Sequence, residues 1–242
     1  MKILLCILLC PLSGLLFAQK SGTIPPIIRA QTTLDDMSRG PIGSNTVLYG
    51  IPIREPNLIG DFYIDEKWNV TTVLLHNDKL IENCQARFDL KSNILEVKVD
   101  NRTIKALDLE KIKSIVWLDA VTSNPRYFIS AKGYKVEGTE LVGLLEVLSD
   151  GDTPLLEHIV VSIKRADYNI ALDVGSKDDK VIKKEMLYYG RNNELIKVSG
   201  KRSLESAFGE RFKMVESFAK EKGLSFGKSS HLVHIFDYFN SL

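Results

Sequence analysis

Cysteine is scarce in this chain of 242 residues: only three occur, and Cys6 and Cys10 fall in an apolar N-terminal run. That leaves Cys84 alone in the body of the chain, so no internal disulfide forms there and stability must come from a packed core. An excess of one charge is also missing. Lys and Arg number 32 against 31 Asp and Glu, and without Lys2 the two signs balance. This excludes a general nucleic-acid binder held by phosphate neutralisation. No Gly-x-Ser-x-Gly elbow occurs, and no Gly-x-x-x-x-Gly-Lys-Ser/Thr phosphate loop. Beyond the N-terminus no apolar stretch is long enough for a transmembrane helix.

What the N-terminus does contain is the pattern of an export signal. Met1 and Lys2 precede an apolar run from Ile3 to Phe17, broken only by Pro11, Ser13 and Gly14. A basic start, a short apolar core and a small residue at the cut are the parts of a secretory signal. Cleavage is expected between Ala18 and Gln19. The run is too short and interrupted to span a hydrocarbon core of roughly 30 Å comfortably. A lipoprotein signal at Cys10 would want a small residue before it, where Leu9 stands. Residues 1–18 are therefore read as a signal peptide, 19–45 as an extended or disordered lead-in rich in Pro and Gly, and 46–242 as a single domain.

From Thr46 to about Val198 the pattern is one of strands. Leu95, Val97 and Val99 alternate with Glu96 and Lys98, as in a strand with one wet face. Trp68 to Leu75 is rich in β-branched and aromatic residues. Short Asn/Asp turns separate such runs at His76–Lys79, Lys91–Asn93 and Asp100–Arg102. Strands joined so closely must be antiparallel, because a parallel crossover needs a dozen or more residues. The meander continues through Thr103–Asp108, Ile112–Leu118, Arg126–Ser130, Tyr134–Val136 and Leu155–Ile163. It ends in a hairpin, Val181–Tyr189 with Glu194–Val198. Leu141–Leu148 is apolar on both alternating faces and reads as a central strand or a short buried helix; Gly143 and the β-rich context favour strand.

The last forty residues change period. Ser203 is expected to cap a helix over Leu204–Phe208, and Glu210–Lys222 places Phe212, Val215, Phe218 and Ala219 on one face before Gly223. Ser229 or Ser230 is expected to cap a third helix carrying Leu232, Ile235, Phe236 and Phe239. Strands followed by two to three short helices, at about 203–240, indicate an α+β fold with an antiparallel meander, open or partly closed.

Candidate chemistry is thin. Cys84 lies in strand-like surroundings, where a free cysteine packs as a small hydrophobe. His231 and His234 stand three apart on a helix near Asp237, without the intervening glutamate of a zinc-hydrolase motif. Asp150–Asp152 and Asp178–Asp179 lack the alternating oxygens and closing glutamate of a calcium loop. Tyr127, Phe128, Tyr134, Tyr188 and Tyr189 either pair across strands or line a groove. Asn69-Val70-Thr71 and Asn101-Arg102-Thr103 match the glycosylation acceptor pattern. No catalytic, cofactor-binding or metal-ligating residue is expected, and no cofactor.

Four stretches carry a resemblance. They are Gly60-Asp-Phe-Tyr-Ile-Asp-Glu-Lys-Trp68, the run from Tyr168 through Gly175 to Lys184, Tyr188-Tyr-Gly-Arg-Asn-Asn-Glu-Leu-Ile-Lys197, and Lys201 to Leu242. Together they resemble a group of exported, functionally uncharacterised proteins of Bacteroidota. The resemblance implies an envelope location, in the periplasm, at the outer-membrane periphery or outside the cell. The expectation is a soluble, non-enzymatic binding or scaffold protein whose partner is an envelope protein or ligand and not a nucleic acid. Two other readings stay open, a β-rich carrier of an apolar or glycan ligand and an enzyme with dispersed residues.

Overall fold

The computed structural model describes residues 47–48, 58–100 and 102–242. The signal peptide, the Ala18–Gln19 cut and the lead-in lie outside the described residues.

Among the described residues fourteen strands form one sheet. They are β1 (Val47–Leu48), β2 (Leu58–Ile59), β3 (Asn69–Leu75), β4 (Leu80–Asp89), β5 (Ile94–Lys98), β6 (Ile104–Asp108) and β7 (Ile112–Leu118). Then come β8 (Pro125–Ser130), β9 (Lys135–Val136), β10 (Thr139–Glu140), β11 (Leu144–Ser149), β12 (Leu155–Lys164), β13 (Asp179–Arg191) and β14 (Glu194–Lys197). Three α-helices follow: α1 (Lys201–Phe208), α2 (Phe212–Glu221) and α3 (Ser229–Asn240). The expected α+β class is what the chain adopts. The spatial order is β1-β6-β5-β4-β3-β7-β8-β11-β12-β13-β14-β9-β10, an open path with two different ends. Pairing is antiparallel throughout except for β2 on β13 and β9 on β14. Leu141–Leu148 resolves to strand, with Gly143 at φ +122° just before β11.

The turns form where Asn and Asp tolerate left-handed backbone: Asp78 (φ 60°) between β3 and β4, Asn93 (φ 53°) between β4 and β5, and Asn192–Asn193 (φ 50° and 65°) between β13 and β14. Strand alternation then sorts side chains onto two faces. On one face of the meander Val73, Ile81, Phe88, Leu95, Leu107 and Ile115 are buried, with Trp117 and Phe128 in ring contact at 4.4 Å. Farther along that face, past β11, the three helices cover Leu155 and Tyr189 with Leu204, Phe208, Val215 and Phe236. The opposite face of the second half buries Leu145, Leu156, Tyr188 and Leu195 under the β9–β10 hairpin, which contributes Tyr134 and Val136. That hairpin leaves the sheet after β8 and rejoins it beyond β14, a detour that local turn chemistry does not announce.

Residues 61–68 run beside the end of β4, where Tyr63 bridges to Asp89 and the Ile64 N–H donates to the Phe88 carbonyl at 3.0 Å. Arg87 lies 3.9 Å from the centre of the Tyr63 ring and 4.5 Å from that of Trp68, and donates to buried Glu96 at 2.8 Å. Tyr63 Oη also donates to Glu96, at 3.0 Å. Cation–π contact and a shared carboxylate thus fix this stretch in place.

The helix starts differ from the expected caps. α1 begins at Lys201 behind Gly200 (φ 120°), and Ser203, inside the helix, donates from Oγ back to the Gly200 carbonyl at 2.7 Å. Ser229 and Ser230 are the first residues of α3, whose N-cap is Lys228. His231 Nδ1 accepts from Ser225 N–H at 2.9 Å, so the preceding loop is tied down by the histidine and not by a serine cap. Gly223 (φ 66°) stops α2 as expected.

Candidate functional site

Three places in the fold gather features that the core does not need. The first is a cleft of about 320 Å³ where the β4–β5 turn and the end of β6 face the segment around β10. Ser92, Asn93, Asp108, Lys132, Leu141 and Gly143 line it. His158, on β12, stands behind Gly143: its Nε2 is 3.1 Å from the Val142 carbonyl, while Nδ1 is buried and has no partner. A carbonyl only accepts, so Nε2 carries a proton and donates it to this bond. Burial holds its pKa below the ordinary histidine value. A Cβ on Gly143 would sit 2.9 Å from His158 Nε2, so this wall requires glycine. Asp108 is occupied, accepting from the Glu110 N–H at 2.9 Å as it caps a single 3-10 turn. The cleft offers polar donors and acceptors for a small ligand but no activated nucleophile.

The second place is a row of charge across four strands. Register sets Arg126 on β8, Glu146 on β11, Glu157 on β12 and Glu185 on β13 on one sheet face. Arg126 grips Glu146 in a two-pronged ion pair, with Nε to Oε1 at 2.8 Å, and lies against the Trp117 and Phe128 rings. Glu157 is directly opposite Glu146, and the guanidinium is already spent. Burial first, then Glu185 and Glu146, push the Glu157 carboxyl up to about 7, against a smaller downward pull from Arg126.

The third place is an arm. β12 and β13 stay paired from Leu155↔Tyr189 out to Lys164↔Lys180, well past the point where hairpin and helices cover them. Its tip is rigidly built. Asn169 N–H donates to the Val174 carbonyl at 2.8 Å, Asn169 Oδ1 accepts from Ala171 N–H at 3.0 Å, and Tyr168 Oη donates to Asp173 at 2.5 Å. Gly175 (φ +100°) packs so tightly that a Cβ would lie 2.5 Å from the Asp167 carbonyl oxygen. This frame presents Ile170, Leu172 and Val174 at 85, 68 and 55 % exposure.

Residues singled out in the sequence occupy structural positions. Cys84 is buried in β4, its thiol donating to the Thr71 carbonyl at 3.4 Å, and burial pushes its pKa up to about 12. Asp237 accepts from Ser149 Oγ at 2.6 Å, joining α3 to β11, while His234 on α3 and His76 in the β3–β4 turn are exposed. Among the described residues no three His, Cys, Asp or Glu side chains converge as metal ligands. Asp150 and Gly151 form a turn clamped by Asn240, and Asp179 accepts from Arg165 and from Ala166 N–H. Phe128, Tyr188 and Tyr189 are core, and Tyr127 is exposed. Asn69 is buried, donating to Asp65 at 3.3 Å and accepting from Ala120 N–H at 2.8 Å, so it is closed to glycosylation.

The Glu157 row and the arm tip escaped the sequence reading. The carboxylates sit at ordinary alternating strand positions, and only the register places three of them together. A signal for the tip did exist: three aliphatic residues, Ile170, Leu172 and Val174, within a loop between two strands. No protein family, curated protein or solved structure matches this chain.

Proposed function

We propose that the chain is an exported, non-catalytic binding module of the bacterial cell envelope that meets its partner through the β12–β13 arm. The ordered apolar tip carries this reading. Three aliphatic side chains held in water by a dedicated set of hydrogen bonds are what an interaction site requires and what folding alone disfavours. The export signal read from residues 1–18 and the resemblance to envelope proteins supply the compartment. Two measurements test it. Sequencing the N-terminus of the protein from its host should find Gln19 first. A photo-reactive side chain at Leu172 should cross-link a defined envelope component, whereas one at exposed Met214 on α2 should not. A cytosolic chain with Met1 intact, or equal labelling from both positions, overturns the proposal.

The cleft beside Gly143 favours a second reading, a carrier of a glycan-sized polar ligand. Its volume is at the small end of ligand sites. A panel of soluble glycans that leaves the backbone resonances of Asn93, Lys132 and Gly143 unmoved would dismiss it.

A further inference from the structure

We propose that the arm tip docks onto an anionic phospholipid surface; this rests on the binding-module reading and names its partner. Lys164 and Lys180 are direct cross-strand partners on one face of the arm, and Lys184 follows on the same face. Like charges placed opposite each other destabilise a strand pair, and the pairing of β13 with β12 on one side and with β2 on the other supplies no counter-charge for them. Between them the same face exposes Val160 and Ile182. Lys164, Lys177 and Lys180 also line a shallow depression beside the tip, together with Asp167, Asp178 and Ile59. Lys177 is held there by its ammonium lying 4.4 Å from the centre of the Tyr168 ring.

The acidic groups near the tip are mostly engaged within it. Asp167 takes Lys164 and the Ser176 N–H, Asp179 takes Arg165 and the Ala166 N–H, and Asp173 takes the Tyr168 hydroxyl. Lys180 and Lys184 have no ion-pair partner among the described residues. The tip thus combines aliphatic side chains at the apex with uncompensated lysines just behind them. A bilayer interface takes that pattern, apolar groups entering the acyl boundary while lysines meet lipid phosphates. A protein partner fits less well. Protein hot spots favour Trp, Tyr and Arg in flat, well-packed patches of roughly 800 Å² per side, and Leu and Val are under-represented in them. Asp173 at the apex keeps the insertion shallow.

Vesicle co-sedimentation of the chain from Gln19 onward tests this. Vesicles of phosphatidylcholine with one third phosphatidylglycerol should bind it, phosphatidylcholine alone should bind it much less, and added salt should release it. The pair Lys180→Glu and Lys184→Glu should weaken binding at least roughly tenfold, each lysine counting for about fivefold. Ile170→Asp with Leu172→Asp should abolish binding while leaving the melting temperature unchanged. Absence of binding to anionic vesicles, or binding that the tip pair leaves intact, overturns the proposal. If vesicles stay unbound while the Leu172 cross-linker captures one envelope protein, the lipid partner is wrong and the binding-module reading stands. If both fail, both fall.

Discussion

At Glu157 the fold holds a carboxyl opposite Glu146 and near Glu185, with one guanidinium for the three. In the unfolded chain such a group ionises near its ordinary value of 4.5, and in the folded chain only at about 7. Folded protein therefore binds the extra proton between these values, so stability falls as pH rises through that window and the loss is complete above it. Glu157→Gln should stabilise the protein at about pH 8 by roughly 1–3 kcal/mol and have little effect at about pH 4.5. Thermal melts at the two pH values decide the matter, and an equal gain at both would refute the ionic cause. At Cys84 burial acts in the same direction and keeps the thiol protonated. A thiol reagent should label it only as fast as the native state opens, with a rate that rises in parallel with unfolding in denaturant. Its inert character was legible from the apolar positions around it. Glu157 was not legible, because its perturbation comes from residues eleven and twenty-eight positions away that register alone brings alongside.

Among the elements, the β11–β12 turn and the end of α3 are locked together. Asn240 donates to the carbonyls of Asp150 and Thr153 at 3.0 and 3.2 Å and accepts from Thr153 N–H at 3.2 Å. Gly151 has φ +139°, and a Cβ there would lie 2.5 Å from Asn240 Cγ. Gly151→Ala should therefore cost about 2–4 kcal/mol from backbone strain and the clash together. Asn240→Ala should cost about 1–3 kcal/mol through the turn groups it leaves unpaired. Asn240→Ala removes the contacts with Cγ and Nδ2 but keeps Cβ, which a Cβ on residue 151 would meet at 2.7 Å. Gly151→Ala should therefore be only partly cheaper in that background, and a double-mutant cycle in urea would reveal the coupling. Element types were readable because alternation and helical stripes are local. The first turns of α1 and α3 were not, because Ser203 lies inside α1 and bonds back to Gly200 and Ser199, while at α3 His231 in the first turn takes the Ser225 N–H.

For the whole molecule, one sheet serves separate cores, and the helices, with Leu224 and Phe226 of the loop between α2 and α3, cover Leu155, Leu187 and Tyr189. Phe236, fully buried against Phe208 at 5.1 Å, anchors that cover. Phe236→Ala should cost about 3–5 kcal/mol. A chain ending at Ser199 should bind a hydrophobic dye and lose its cooperative melt, because an apolar sheet face would be bared to water. Cooperative melting of that truncated chain would mean that the sheet is stable without its helices.

By themselves, the residues determined the order of strands and helices, the antiparallel hairpins and the turns at Asp78, Asn93 and Asn192–Asn193. Each of these depends on backbone preferences and periodicities that act over a few neighbours. Only the tertiary structure decided that the β9–β10 hairpin joins β14 instead of staying beside β8, that Glu146 and Glu185 come to lie near Glu157, and that a loop of aliphatic residues ends up on the outside. Those outcomes depend on which distant strands become neighbours and on where the packed core stops, and both are settled by burying the greatest apolar area over the whole chain at once.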